Sequence, residues 1–240
     1  MTSEFRSRPR DEATEKIECY IIEHKLPPHS KLPSERDMCK MWNFNRTTLR
    51  SAIERLITEG KLYHRKGSGT FTASPKLIRN LQDLKPFSHV VAEAGKRLTT
   101  QVISALVIES NKQITKMLHL PLGHKVYELT RLRIVDGEPV IVETCYVDFE
   151  RFPELIHHDF GQESFYGVLE NDYGVCIVKG EEKIAITYTT PEESEYLKIE
   201  EESPVFLLTG VVKDEEDVPI EYFKSVVRAD SVRFASVLTR

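Results

Sequence analysis

Cysteines and long apolar runs are scarce in this chain of 240 residues. Its four cysteines are scattered, without a CxxC pair or a metal-ligand spacing: Cys19, Cys39, Cys145 and Cys176. We therefore expect reduced thiols in a cytosolic protein. No apolar run approaches the roughly eighteen residues that cross a bilayer, and the N-terminus has no apolar core of a signal peptide. The composition predicts a cytoplasmic protein without membrane contact.

The motifs of common enzyme classes are also missing. Ser164 lacks the G-x-S-x-G context of a hydrolase nucleophile, and none of the eight histidines lies in an H-E-x-x-H motif. There is no glycine-rich phosphate loop and no internal repeat. The sequence therefore predicts no catalytic residue, no metal and no cofactor.

Negative charge dominates the whole chain but not its first third. The formal net charge is −5, yet residues 1–75 hold 14 Lys and Arg against 10 Asp and Glu, a balance of +4. The remaining residues hold 19 and 28, a balance of −9. A basic head on an acidic body is expected when only one part of a protein meets phosphate.

Residues 31–60 have the pattern of two short helices joined by a tight turn. Ser34 is suited to cap the first helix, with Asp37 completing a capping box, and Asn45 is suited to cap the second. Gly60 stands where a helix favours a left-handed residue after its end. The second helix has an apolar face at i, i+3, i+4, i+7 and i+8 spacing: Leu49, Ala52, Ile53, Leu56 and Ile57.

Basic residues accompany this pair of helices in an order that suits DNA. Arg46, Thr47 and Arg50 lie in the first turns of the second helix, off its apolar face, where a recognition helix contacts base edges. Strand-like residues then flank a basic turn, Lys66-Gly67-Ser68-Gly69, which predicts a hairpin that can lie in a minor groove or along phosphates. The alternative is a solvated basic surface on an ordinary helical hairpin.

The segments LPSER and NRTTLRSAIERLITEGKLYHRKGSGTF resemble the winged helix-turn-helix domain of the GntR family of bacterial transcription regulators. The resemblance implies that the following residues contact DNA, together with the basic wing residue Lys66: Arg36, Arg46, Thr47, Arg50 and Gly67. Asn45 stands where the family more often has serine, a change that affects operator preference more than fold. His29 stands where a glycine is common, which affects only the loop geometry.

Helical and strand-like segments alternate after residue 95. We assign residues 1–10 to a disordered tail, 11–75 to the DNA-binding domain, 76–95 to a linker and 96–240 to a second domain. Asp136-Gly137 predicts a hairpin turn between residues 125–135 and 139–148. Thr190 and Glu193 form a capping box that opens a helix. The pattern predicts an α+β fold, with an N-terminal winged helix-turn-helix and a C-terminal domain around an antiparallel sheet.

The second domain resembles the UTRA effector domain of the HutC-type GntR regulators. The segments that carry the resemblance are LTRLRIVDGEPVIVETCYV at 129–147, SFYGVLENDYGV at 164–175 and VPIEYFKSVVRADSVRF at 218–234. The family fold is similar to that of chorismate lyase but is used for binding. The resemblance implies effector contacts at the following positions: Ser88, Arg131, Arg133, Glu143, Ser164, Tyr166 and Glu221.

Arg131 and Arg133 are two residues apart on one strand and therefore project from one face of the sheet. Two guanidinium groups on a sheet face are costly to bury unless an anion meets them, and Glu143 on the partner strand can neutralise one of them. Ser164 and Tyr166 open a helix, whose free N–H groups attract anions. These residues predict a small anionic effector, a sugar phosphate first and a small carboxylate second. The alternative is an exposed sheet face with ordinary salt bridges.

Together these features predict a transcription regulator, in most such families a repressor, that binds a palindromic operator as a homodimer and responds to an effector. Two alternatives remain open. One is a lyase-like enzyme that uses the C-terminal cavity. The other is a DNA-binding dimer whose second domain binds no ligand.

Overall fold

The computed structural model describes residues 8–65, 67–82 and 85–236, which form two compact units with the boundary between Lys76 and Leu77. Each unit buries a hydrophobic core of its own. Within the described ranges, no helix is long and apolar enough to cross a membrane.

The first unit contains three helices and a hairpin: α1 (Pro9–Glu23), α2 (Glu35–Trp42), α3 (Arg46–Thr58), β1 (Leu62–Arg65) and β2 (Gly69–Thr72). Its core includes Ile17 of α1, Met38 of α2 and Leu49 of α3, all of which are buried. The predicted winged helix-turn-helix is confirmed by this order of elements.

Helix α1 begins earlier than the sequence pattern indicated. Pro9 and Arg10 belong to the helix and not to a disordered tail, because proline is well suited to the first turn, where its missing N–H has no helical partner. Residues 1–7 of the predicted tail lie outside the described residues.

Side-chain caps define both helices of the helix-turn-helix. The Ser34 hydroxyl accepts the N–H of Asp37 at 3.2 Å, and the Asn45 side chain accepts the N–H of Thr48 at 2.8 Å. The Asp37 carboxylate accepts the Ser34 hydroxyl at 2.6 Å, so the cap is one-sided and differs from the predicted reciprocal box. Gly60 follows α3 with φ +71°, as predicted for a left-handed residue.

The second unit is built on one antiparallel sheet. Its elements are β3 (Leu77–Asn80), α4 (Phe87–Glu93), β4 (Leu98–Glu109), α5 (Lys112–Leu118), β5 (Lys125–Val135), β6 (Glu138–Asp148), a 3-10 helix (Pro153–His157), α6 (Phe165–Tyr173), β7 (Ile177–Tyr188), α7 (Pro191–Leu197), β8 (Pro204–Asp214), β9 (Pro219–Arg228) and β10 (Val232–Ala235). Six strands pair in the order β4-β5-β6-β9-β8-β7. The predicted α+β class is confirmed.

Both faces of the sheet are covered at its central strands. On β5, Tyr127 and Leu129 pack in the cluster that contains α6, whereas Val126 packs with α5 and Leu132 with α7. This alternation follows from the two-residue period of a strand. Arg131 therefore shares the face that α6 covers, and this face carries the cavity described below.

Local turn chemistry explains two of the connections. Asp136 and Gly137 have φ of +51° and +86°, and they join β5 to β6 as predicted. Thr190 and Glu193 form the predicted reciprocal capping box at α7.

The segment assigned to a linker, residues 76–95, instead contributes β3 and α4 to the second unit. Strand β3 pairs in parallel with β10, which lies at the other end of the chain. A four-residue strand that pairs with so distant a partner leaves no local pattern, and this is why the sequence did not reveal it.

Candidate functional site

The first turns of α3 present two exposed arginines. The side chains of Arg46 and Arg50 are 75% and 57% exposed, and their Nε atoms lie 3.6 and 2.9 Å from Oε2 of Glu35 on α2. Thr47 is also exposed beside them. Glu35, which sequence reasoning missed, thus orients both guanidinium groups at the start of the helix.

The remaining predicted DNA contacts of the first unit lie on α2 and at the hairpin. Arg36 is exposed on α2, and Gly67 is exposed at the hairpin tip with φ +72°. Lys66 lies outside the described residues. Arg65, which was not among the predicted contacts, places its guanidinium 5.4 Å from the centre of the Phe71 ring. Exposed cations on a helix start and a glycine-tipped hairpin are suited to base edges and phosphates of duplex DNA.

The seven predicted effector residues line one cavity of about 990 Å³ in the second unit. They come from α4, β5, β6, α6 and β9, and one of them lies just before α6: Ser88, Arg131, Arg133, Glu143, Ser164, Tyr166 and Glu221. The strand register explains part of this convergence, since Arg131 of β5 lies opposite Glu143 of β6, which in turn lies opposite Ser225 of β9. The cavity is large enough for a small-molecule ligand.

Arg131 is held by two neighbours at the cavity floor. Its Nη2 lies 2.5 Å from Oε1 of Glu143, and its guanidinium lies 5.2 Å from the centre of the Phe165 ring. Burial raises the pKa of Glu143, but the charges of Arg131 and Arg133 outweigh burial and hold this pKa below its usual value. Glu143 therefore neutralises one arginine, as predicted.

Arg133 is the unpaired member of the arginine pair. Among the described residues it has no hydrogen bond and no ion pair, whereas Arg131 pairs with Glu143; the Nε atoms of both arginines are buried without a hydrogen-bond partner. Burial lowers the pKa of Arg133, and the charge of Arg131 lowers it further, whereas Glu143 opposes both. Because a partly buried charge without a partner is costly, this guanidinium is suited to receive an anion.

The half-buried Tyr166 and the buried Glu221 form a hydrogen-bonded pair that lines the same cavity. The Tyr166 hydroxyl donates to Oε2 of Glu221 at 2.5 Å. Burial raises the pKa of Glu221 to about 7, so this carboxyl group changes charge near neutral pH. Burial and the charge of Glu221 also raise the pKa of the Tyr166 phenol, which remains a hydrogen-bond donor.

The two serines differ in what they offer a ligand. The Ser164 hydroxyl accepts the N–H of Gly167 at 3.2 Å and so caps α6. Ser88 lies in the first turn of α4 and lines the cavity. An anion near Ser164 would therefore lie at the start of α6, where the Ser164 hydroxyl already accepts one of the free N–H groups.

Several charged lining residues were missed by sequence reasoning: Arg79, Arg97, Glu163, Lys179, Glu181 and Glu182. Arg79 lay in the segment interpreted as a linker. Glu182 lies on β7, where Lys179, Glu181, Glu182 and Lys183 stand in one charged block that does not reveal which face meets the cavity. In the part of the chain that the structure describes, no three His, Cys, Asp or Glu side chains converge as a metal site.

Comparison with known families decides the identity. Residues 9–72 match the model described as bacterial regulatory proteins, gntR family, and residues 93–233, more than half of the chain, match the UTRA domain. The chain is a GntR-family transcription regulator of the HutC type. The predicted family is confirmed, and this regulator joins a DNA-binding domain to an effector domain.

Two relatives of this GntR regulator are named as repressors. It is 29% identical to the HTH-type transcriptional repressor NagR of Bacillus subtilis over 94% of this chain and 93% of that protein. It is 28% identical to the histidine utilization repressor of Pseudomonas putida over 76% of this chain and 73% of that protein. These relatives are transcription regulators and not enzymes, which confirms the prediction that this chain is no enzyme.

A solved structure shares the fold. The crystal structure of PhnF from Mycobacterium smegmatis superposes with a TM-score of 0.70 at 22% identity, covering 95% of this chain and 99% of that chain. At this identity the likeness shows the fold of the GntR regulator and not its ligand.

Proposed function

We propose that this regulator is a homodimeric repressor that acts in the cytoplasm and releases a palindromic operator when a small anionic effector fills the cavity of the second unit. The observation that carries the proposal is the half-buried Arg133, which lines the cavity, makes no hydrogen bond or ion pair among the described residues and has a buried Nε without a partner. The names of the relatives, which are repressors, support the direction of regulation.

The lining favours an anion that carries hydroxyl groups. Arg133 offers a planar fork that suits a phosphate or carboxylate. Glu143, Tyr166 and Glu221 offer acceptors and a donor within the same cavity. A sugar phosphate could bind Arg133 through its phosphate and the acceptors and donor through its hydroxyl groups. A small carboxylate would bind Arg133 alone.

The mechanism requires two arrangements of the dimer with different effector affinity. An effector shifts the equilibrium only by binding one arrangement more tightly than the other. A coupling of about 1–3 kcal/mol would change operator affinity by about 5- to 150-fold. The two DNA-binding units of one dimer would each bind one half-site of a palindromic operator. The distance between the units must then match the distance between the half-sites.

A direct test begins with an operator selected from random oligonucleotides at low salt. Sugar phosphates, small carboxylates and the matching uncharged sugars are then titrated into the protein–operator complex, and DNA release is followed by fluorescence anisotropy. We expect release by a charged ligand and none by its uncharged match. Tight binding of an uncharged ligand, unchanged in Arg133→Ala, would contradict the anionic class. Light scattering of the free protein reports whether it is a dimer.

The DNA contacts predict two different mutant behaviours. Arg46→Ala should weaken specific binding by about 1–3 kcal/mol, with a smaller loss on random DNA, if the guanidinium contacts a base. Lys66→Ala should weaken binding to all sequences similarly and flatten the salt dependence, because a phosphate contact releases counterions. Affinities for operator and random DNA at several salt concentrations separate the two. Equal losses of affinity for both variants on both DNAs would mean that the base contact of Arg46 and the phosphate contact of Lys66 are wrongly assigned.

A further inference from the structure

Arg79 reaches the effector cavity from β3. Along this strand Leu77 is buried, Ile78 exposed and Arg79 half-buried, so Arg79 shares the inward face with Leu77. Arg79 lines the same cavity as Arg131 and Arg133. The positively charged Arg79 side chain therefore lines the cavity from the two-stranded sheet of β3 and β10, which is separate from the six-stranded sheet.

Glu182 holds Arg79 across the cavity. It lies on the edge strand β7, and its Oε1 is 2.8 Å from Nη2 of Arg79. Both side chains are largely buried, with 24% and 21% of their surface exposed. The distance is that of an ion pair, yet within the described residues this oxygen accepts no hydrogen bond of normal geometry. The pair is therefore close but poorly aligned.

Arg79 also acts on the centre of the effector site. Its positive charge helps, after those of Arg131 and Arg133, to hold the pKa of Glu143 low. This effect places Arg79 within electrostatic reach of the carboxylate that pairs with Arg131. An anion bound at Arg133 would lie in the field of all three arginines.

We propose that Arg79 is an anion-binding residue of the effector site and that Glu182 is its internal competitor, which the effector must displace. A phosphate or carboxylate with several free oxygens can accept aligned, charge-assisted hydrogen bonds from Arg79, whereas the present pair is misaligned. Glu182 thereby sets the affinity threshold for the effector. This inference rests on the proposed function of the cavity.

The inference also concerns the strand that follows the first unit along the chain. Strand β3 begins at Leu77, the first residue after the first unit ends. When the effector replaces Glu182 as the partner of Arg79, it therefore changes the contacts of the first strand that follows the DNA-binding unit along the chain. A ligand that changes the contacts of this strand has the differential interaction that a switch requires.

The test measures binding of inorganic phosphate to the full-length protein by calorimetry. Glu182→Gln should tighten binding by about 10-fold because it removes the competitor, and Arg79→Ala should weaken it by about 10-fold. In the double variant Glu182→Gln should bring almost no gain, since Arg79 is absent. Arg233→Ala is the matched control, because it removes an exposed arginine from the neighbouring strand β10 and should leave binding unchanged. Thermal melting of each variant checks that the fold is intact.

Four outcomes would overturn the inference. One is an equal gain in phosphate affinity from Glu182→Gln with and without Arg79, which would mean that Glu182 repels the anion directly and does not compete for Arg79. Another is an Arg79→Ala protein that binds like Arg233→Ala. Phosphate binding that survives Arg133→Ala unchanged, or no binding to either wild type or Glu182→Gln, would overturn the proposed effector site itself. The first two outcomes leave that site standing.

Discussion

Arg133→Ala should abolish the response to an anionic effector without destabilising the free protein. Loss of one partner from a buried charge pair costs about 2–5 kcal/mol, so effector affinity should fall by roughly 30- to 5000-fold. The free protein should melt at the same or a higher temperature, because Arg133 has no partner among the described residues and its burial is a cost. Calorimetry with the effector and thermal melting without it measure the two effects.

Arg131→Ala is the matched control for this prediction. Its removal leaves the largely buried Glu143 without its 2.5 Å partner and with only the more distant charge of Arg133, so the free protein should lose stability by up to about 3–5 kcal/mol. Neighbouring arginines on one strand thus have opposite effects on the free protein. A large loss of stability in Arg133→Ala would show that Arg133 is structural and that the cavity is not built for an anion.

Glu221→Gln should remove a pH dependence of folding near neutrality. Burial raises the pKa of Glu221 from 4.5 to about 7, so the folded protein binds this proton more tightly than the unfolded chain does. The stabilising contribution is full below about pH 4.5 and is lost as the pH rises through about 7. The shift corresponds to about 3 kcal/mol. Denaturant unfolding at several pH values should show this loss in the wild type and not in the variant.

The same carboxyl group should make effector binding depend on pH. Ionised Glu221 repels an anion in the cavity, so affinity for a small carboxylate, whose own charge is constant in this range, should fall as the pH rises through about 7 and stay flat in Glu221→Gln. Tyr166, Cys145, Glu143 and Arg131 surround this group and set its pKa, so Tyr166→Phe is a useful second variant. Identical pH profiles of unfolding in wild type and Glu221→Gln would mean that water reaches the carboxyl group and that its pKa is ordinary.

Local patterns were sufficient to predict most of the first unit. The caps at Ser34 and Asn45 and the left-handed Gly60 depend on neighbouring residues only, and so does the apolar face of α3. The hairpin from β5 to β6 was predictable for the same reason, because Asp136-Gly137 is a two-residue turn signal. The one-sided cap at Ser34 was not predictable, because it depends on the orientation of the Asp37 carboxylate, which accepts the Ser34 hydroxyl.

The cavity needed more than local pattern. Arg131, Arg133 and Glu143 could be placed on one face of a hairpin from the two-residue period. Ser88, Tyr166 and Glu221 entered the predicted site through the family resemblance, since no spacing in the sequence links them. Arg79 and Glu182 escaped both approaches, because β3 has no local strand signal and β7 is an edge strand with charges on both faces.

The order of residues alone determined the two-part architecture, the basic recognition helix and the pair of arginines on β5, because each arises from spacing along a single element or hairpin. Tertiary structure alone decided which arginine is neutralised and which is left without a partner, and it brought Arg79 to Glu182 from distant parts of the chain. The physical reason is that burial and pairing of charge depend on strand register and on packing between elements, and neither is encoded within any one segment.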